Sequence, residues 1–476
     1  MSLLARLRAL GSRANGAPEP SRRRTSLPPP SPGSLSATPI PAGVEEAGPT
    51  GRMRALSSPP VDAGPAETEA SAEPRLIVVG GADPLLTGLI LAIVVFGVVM
   101  VFSASAVFSA RTYGSAYHFL IRQGIFALVG LVLMLGLARF DYHRFRPLTY
   151  PILAAAVGLL FVVAIGLGKS AGGASRWIQV GPVNIQPSEA AKLAVILWLS
   201  YSLSRKQGRM GTFAVGFLPH VLVAGFLMLL CLEQPDFGSA VMIGLLTFVL
   251  LFTAGARLRD ILGAILLALP FAYLLIATSP YRMRRIEAFL APFEHRYDIG
   301  YQIAESLMSF GAGGTWGVGI GDSHQKLLYL PEAHTDFISA IIGEELGFVG
   351  ILALVLAMAA VVLLGLRAAI RAPGEYGTYL GVGISCFLGA QAFTNLAVAM
   401  GMLPTKGLVL PFISYGGSSL LVNCVAAGIL LNVSRARAPA LERRAADDLS
   451  GGATPKKQRV RSGRTFAQDA ISGGAA

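Results

Sequence analysis

From Leu85 to Val433 the chain alternates long apolar runs with short breaks rich in Pro, Gly and charge. Each run approaches the ~20 residues that a helix needs to cross ~30 Å of hydrocarbon. None shows the period-2 alternation in ~10-residue segments that marks a membrane barrel, so the runs are read as helices. Ten spans are predicted. The first three are Leu85–Ala106, Ile121–Leu137 and Leu148–Leu167. The next four are Glu189–Leu203, Phe213–Leu232, Phe237–Ala254 and Ile261–Ala277. Phe337–Leu366, Tyr379–Met400 and Leu408–Val433 complete the set. The eighth is too long for one upright crossing, and GEELG near its start predicts a break or a tilt. The expected fold class is an all-α polytopic membrane protein.

Charge in the breaks predicts a topology. With residue 1 in the cytoplasm, the inner loops carry Arg139, Arg144 and Arg146, then Arg205, Lys206 and Arg209, then Arg257 and Arg259, then Arg367 and Arg371. The short outer loops carry only Arg111, Lys169, Arg176 and Lys406. This is the positive-inside pattern, and it puts both termini in the cytoplasm. The loop 279–336 breaks it, being outside yet holding Arg282, Arg284, Arg285, Arg296 and Lys326. It approaches the length at which the rule loses force. Its basic residues need another explanation.

Composition narrows the picture further. At 476 residues, 53% hydrophobic and only 14% charged, the chain is not a string of soluble domains. Its net charge of +12 matches cytoplasmic Arg and Lys in a membrane protein, and no nucleic-acid partner is read from it. Cys231, Cys386 and Cys424 fall in or beside spans without a CxxC, which suggests buried free thiols. Residues 1–76 are rich in Pro, Ser and Arg and are expected to form a disordered cytoplasmic tail, as are the basic residues 437–476. Residues 77–436 are the expected membrane core. LLARLRALGSR near Met1 is too short and too interrupted by arginine for a signal-peptide core. No repeat relates the two halves, which weighs against many transporter folds.

The unusual residues share one side of the membrane under this topology. KSAGGASRWIQVGPVNIQPS (169–188), LEQPD (232–236), QKLLYLPEAHTDF (325–337) and MLPTKGLVLPFISYGG (402–417) all lie outside. Broken backbone at span entrances is tolerated where it lines a cavity, so a polar cavity open to the outer leaflet is expected. Asp236 follows Pro235 at a span start, where an aspartate is an ordinary helix cap. It is equally placed to be a general base.

GASRWIQVGPVNIQPSEAAKLA, EQPDFGSA, QKLLYLPEAHTDFISAIIGEELG and LPTKGLVLPFISYGGSSL, in this order across about 83–434, resemble the shape, elongation, division and sporulation (SEDS) family. The LPEAHTDF and LPTKG wordings and the long N-tail resemble its division branch. The resemblance implies a peptidoglycan glycosyltransferase that polymerises lipid II at the outer face of the inner membrane, enriched at the septum. It places the family's essential aspartate on Asp236, read here as the general base. Arg176 and Lys192 are then diphosphate contacts, although headgroup anchoring and an i,i+3 ion pair with Glu189 explain them as well. Arg122 is a weaker candidate, because snorkelling accounts for it nearly as well. Glu332 and His334 are read as shaping the cavity rim, with Asp336 capping span eight. Lys406 and Ser418, with Tyr415 and Ser419, are expected to line the cavity. Glu344 and Glu345 lie inside apolar sequence, so at least one is expected to face the protein interior. The run GAGGTWGVGIG (311–321) lacks a nucleotide loop's context and is read as flexible loop. RMRRIEAFLAPF (282–293) has basic and apolar faces suited to the outer leaflet, and retention of diphosphate lipids by its arginines would explain the charge exception.

A Mg2+ or Mn2+ ion suits a diphosphate leaving group, though no ligand set is visible. The resemblance also implies a class B penicillin-binding protein transpeptidase as partner, with other divisome membrane proteins and the FtsZ ring as associates and membrane lipids as surroundings. The rival readings are a lipid II flippase, an elongation-type polymerase of the same family and a catalytically silent division scaffold.

Overall fold

The computed structural model describes residues 81–435, apart from 172, 173, 182 and 328. Both predicted tails fall largely outside the described residues. Ten helices match the predicted spans: α1 (Pro84–Tyr113), α2 (His118–Arg139), α3 (Thr149–Val162), α4 (Pro187–Arg205), α5 (Leu218–Glu233), α6 (Phe237–Thr253), α7 (Leu258–Ala277), α10 (Ile338–Ile370), α11 (Glu375–Ala399) and α12 (Gly417–Arg435). The tenth is corrected at its start, from Leu408 to Gly417, because Pro411 and Gly416 interrupt the apolar run and 408–416 is loop. Single π turns, Val163–Leu167 and Phe213–Phe217, extend α3 and lead into α5. Eight of these segments are long and apolar enough to cross a membrane. The other two are α4, which carries Glu189, Lys192 and Arg205, and α6, which has 17 residues. The protein is a multi-pass membrane protein.

Local sequence sets the helix ends. α1 starts at Pro84, where the missing N–H costs nothing, and Asp83 accepts hydrogen bonds from Leu85 N and Leu86 N at 3.0 and 3.2 Å. It ends at Gly114 with φ 74°, a left-handed cap that glycine adopts without strain.

The bundle is tight at its centre and loose at one margin. α4 buries residues on all its faces, from Glu189 and Lys192 to Leu203, so it is the central helix. α2 and α12 approach closely at Gly428, where an added Cβ would lie 2.6 Å from the Met134 carbonyl oxygen. Along α7 only Ile261 is buried, while Leu262, Leu266, Leu267, Phe271 and Leu274 are exposed. That face is apolar because its surroundings are lipid, not because it packs on protein.

The connections between spans are more ordered than expected. The segment after α3 folds into a three-stranded antiparallel sheet, β1 (Lys169–Ala171), β2 (Ala174–Val180) and β3 (Val183–Ile185), in the order β1-β2-β3. The segment between α7 and α10 holds two helices, α8 (Pro280–Leu290) and α9 (Tyr301–Gly313).

The break predicted from GEELG is present: Gly347 inside α10 has φ 65° and ψ −165°. The glycine run before it corrects the flexible-loop expectation. Val318 N and Gly319 N donate to the carbonyls of Glu344 and Glu345, and Phe348 N and Val349 N donate to those of Gly314 and Thr315. A Cβ on Gly317 would lie 2.2 Å from the Glu345 carbonyl oxygen. Glycine is needed there because two backbones touch.

The adjacent carboxylates complete this joint. Glu344 accepts from Ser323 Oγ and from His324 N at 2.9 Å. Glu345 accepts from Ser103 Oγ at 2.6 Å and from Lys326 Nζ at 3.1 Å. Both glutamates face the interior and bolt the 313–327 segment to α10 and α1. The basic residues of 279–336 are largely accounted for in the same way: Arg282 donates to the Leu275 carbonyl, Arg285 to that of Thr405, and Arg296 reaches Glu305 at 3.5 Å.

Candidate functional site

Asp236 stands at the turn between α5 and α6. Its Oδ1 accepts from Ser239 N at 3.1 Å, so it is the cap of α6. Its Oδ2 accepts from Ser188 Oγ at 2.8 Å and from Gln186 Nε2 at 3.3 Å, both from the start of α4. The residue is 4% exposed. Both carboxylate oxygens therefore accept bonds from the chain itself, Oδ1 one and Oδ2 two.

Arg176 on β2 reaches the same turn. Its Nε donates to the Gln234 carbonyl at 3.2 Å and its Nη2 to the Pro235 carbonyl. Arg176 fastens the sheet to the Asp236 turn, and two of its five N–H donors are spent there. Next to Asp236, the Phe237 ring lies between two cations: Arg282 at 5.9 Å and Lys406 at 5.0 Å from its centroid. Burial pulls the Lys406 ammonium below the usual lysine range.

Asp336 joins this group from the segment leading into α10. The expectation that it caps the helix is corrected: the cap position is Phe337, and no side chain bonds there. Its main-chain carbonyl is held by Asn395 Nδ2 at 2.8 Å, which also donates to the Leu408 carbonyl at 2.7 Å. One amide thus ties the Asp336 segment to the loop of Lys406. The carboxylate lies against Gly407, where an added Cβ would be 3.1 Å from Oδ2. Desolvation and the neighbouring Glu332 push the Asp336 carboxyl up to about 7, against the opposing pull of Arg285 and Arg176. Arg285 donates to the Thr405 carbonyl at 2.8 Å, so α8 closes the cluster. From the sequence alone Asp336 reads as a cap, and Arg285 only as one of the arginines of 282–293 that could help retain diphosphate lipids. The signal was there in HTDF and in the charge excess of 279–336.

The remaining candidates divide into two places. Glu189 and Lys192 form a buried ion pair of 2.7 Å one turn into α4, with Gln391 Nε2 on Glu189 at 3.3 Å and the Phe387 ring 5.6 Å from Lys192 Nζ. The i,i+3 pair is therefore real. His334 packs among aromatic rings, with centroids of Phe119 at 4.7 Å, Phe108 at 5.6 Å and Tyr415 at 5.7 Å. Burial holds its imidazole below the usual histidine range, against the opposing pull of Glu332. Arg122 lies beside the Tyr415 hydroxyl. Glu332 is exposed and takes a hydrogen bond from Thr335 Oγ1 at 2.7 Å, and Ser418 is buried in the first turn of α12.

Among the described residues, no group of three or more His, Cys, Asp or Glu could hold a metal ion. What the cluster offers is a raised carboxylate near Arg285 and Arg176, with Lys406 and Arg282 gathered on the Phe237 ring, at the end of an apolar bundle.

A family model described as cell cycle protein, covering FtsW, RodA and SpoVE, matches residues 84–438. A probable peptidoglycan glycosyltransferase FtsW of Geobacter sulfurreducens is 46% identical over 353 residues, 74% of this chain and 95% of that protein. One from Legionella pneumophila is 40% identical over 355 residues, 74% of this chain and 90% of its own. Among solved structures, a chain from a peptidoglycan synthase complex that coordinates polymerization and crosslinking matches with TM-score 0.62 and 30% identity, over 74% of this chain and 98% of that one. The rod shape determining protein RodA of Thermus thermophilus matches with TM-score 0.56 and 28% identity, over 75% and 97%. With the family motifs spread through the whole helical core, the chain belongs to the FtsW, RodA and SpoVE family of SEDS proteins.

Proposed function

We propose that the protein is a peptidoglycan glycosyltransferase of the division type, with Asp336 as its general base. The observation that carries this reading is the Asp336 cluster: a carboxyl raised to about 7, free of a capping bond, beside Arg285 and Arg176 and packed on the Lys406 loop. A base works best when its pKa lies near the working pH. In the reaction, an acceptor sugar hydroxyl gives its proton to Asp336 and its oxygen bonds to the anomeric carbon of the donor. The bond from that carbon to the lipid diphosphate breaks, and Lys406, Arg285 and Arg282 stabilise the departing charge. Glycosyltransferase activity is also what the FtsW relatives are named for.

Asp236, the base expected from the sequence, receives a positioning role here. It spends both oxygens on Ser239, Ser188 and Gln186, and so fixes the start of α6 and the Phe237 ring between the two cations. Glu189 and Lys192 brace α4 from within. A Mg2+ or Mn2+ ion would arrive with the substrate diphosphate. The site end faces outward and both termini lie in the cytoplasm, as the arginine distribution indicates. Septal location and a class B penicillin-binding protein partner complete the reading; a peptidoglycan synthase complex among the structural neighbours supports the partner.

The test gives labelled lipid II to purified protein, with and without its transpeptidase, and resolves the products on a gel. Long glycan from wild type and none from Asp336→Asn supports the proposal. Translocation of lipid II in sealed liposomes without polymer would replace it with the flippase.

A further inference from the structure

A concavity of about 600 Å³ lies between α1 and the segment 320–327, apart from the Asp336 cluster. Its walls are apolar: Val99, Phe102 and Ala106 from α1, with Ile320 and Leu327 opposite. Val99, Ile320 and Leu327 are well exposed although they are large and apolar. The mouth carries Asp322 and His324, both exposed, and among the described residues neither side chain has a hydrogen-bond or ion-pair partner. The floor is the Ser103–Lys326–Glu345 network.

Depth along α1 says what surrounds the concavity. Asp83 caps the helix at its polar end, and the chain turns apolar at once from Leu85. At 1.5 Å per residue, Val99 lies about 24 Å and Val107 about 36 Å from that cap. A hydrocarbon layer is ~30 Å thick, so the groove straddles its far boundary. The apolar wall of α1 runs from chain depth at Val99 past that boundary at Val107, and Asp322 and His324 add exposed polar groups to the lining. That is the polarity profile of a lipid.

Charge decides which lipid. Lys326, the one lysine of the lining, is already neutralised by Glu345 at 3.1 Å and bonded to the Gly321 carbonyl. Asp322 at the mouth repels a headgroup of net negative charge, and above all a diphosphate. It attracts an ammonium one phosphate away from a glycerol backbone, where the His324 ring can donate to the phosphate. We propose that this groove binds an amine-bearing zwitterionic phospholipid from the leaflet at the site end.

The experiment reconstitutes the full chain in vesicles of phosphatidylethanolamine and phosphatidylglycerol in equal parts. Lipids that stay bound are then counted by native mass spectrometry. Wild type is expected to retain phosphatidylethanolamine over phosphatidylglycerol by about threefold to fivefold, the size of one exposed ion pair. Asp322→Lys reverses the preference, and Ala106→Trp, which fills the groove, removes the retained lipid. Equal retention in wild type, or an unchanged preference in Asp322→Lys, overturns the proposal. So does displacement of phosphatidylethanolamine by added undecaprenyl diphosphate, which would make the groove a substrate-chain site.

Discussion

Asp236 and Asp336 are both aspartates at the start of a membrane helix, and both lie in motifs of the family. The structure gives them opposite surroundings. Asp236 meets donors at every turn: Ser239 N, Ser188 Oγ and Gln186 Nε2. Asp336 meets none of that kind; its carboxyl is desolvated, faces Glu332, and is pushed up to about 7. The Asp236 carboxylate is tied to α4 and α6 by these bonds, whereas desolvation dominates at the Asp336 carboxyl. The position at a helix start is the same. The partners differ.

The largest expected effect separates the two residues directly. Asp336→Asn should lower glycan synthesis by about 10²–10⁴-fold, the usual loss on removing a general base. Asp236→Asn should keep most of the activity, because asparagine caps a helix nearly as well as aspartate. Glycan assays on both purified variants check this, and equal collapse of the two would erase the distinction. Next in size is Lys326→Met, which leaves Glu345 buried and uncompensated. It should cost about 3–5 kcal/mol of stability, read as a lower midpoint in thermal or denaturant unfolding in detergent. An unchanged midpoint would mean that the joint between α1, α10 and the 313–327 segment is not held by this pair. The smallest effect sharpens the structural side of the comparison. Asp236→Ala should destabilise by about 1 kcal/mol through the lost cap, visible in the same unfolding measurement. Restoration of that loss in Asp236→Asn would confirm a cap.

Much of the fold was legible because a membrane helix announces itself locally. The apolar runs marked the ten helices, the last of them starting at Gly417 and not at Leu408, and GEELG gave the break that Gly347 makes. The cap at Asp236 was equally local, since Pro235 and Phe237 flank it. The chemistry of Asp336 was not local. Its neighbours Arg285 and Gly407 come from distant parts of the chain, and only the fold brings them together. The glycine run 311–321 was misread for the same reason. Glycine permits both flexibility and close approach, and the choice depends on the backbone of residues 344–349, which the run alone does not reveal. Lys192 was ambiguous in the sequence, and Glu189 proved to be its partner.

The central claim is that Asp336 titrates as the base, and a pH profile of polymerisation tests it most directly. The base acts when deprotonated, so wild-type rate should fall as pH drops through about 7, the value to which the Asp336 carboxyl is raised. Arg285 holds that value down, so Arg285→Ala should move the falling limb to higher pH. Glu332 pushes it up, so Glu332→Gln should move the limb to lower pH. Opposite shifts in the two variants are the predicted result. A limb that stays in place in both would contradict the assignment of Asp336.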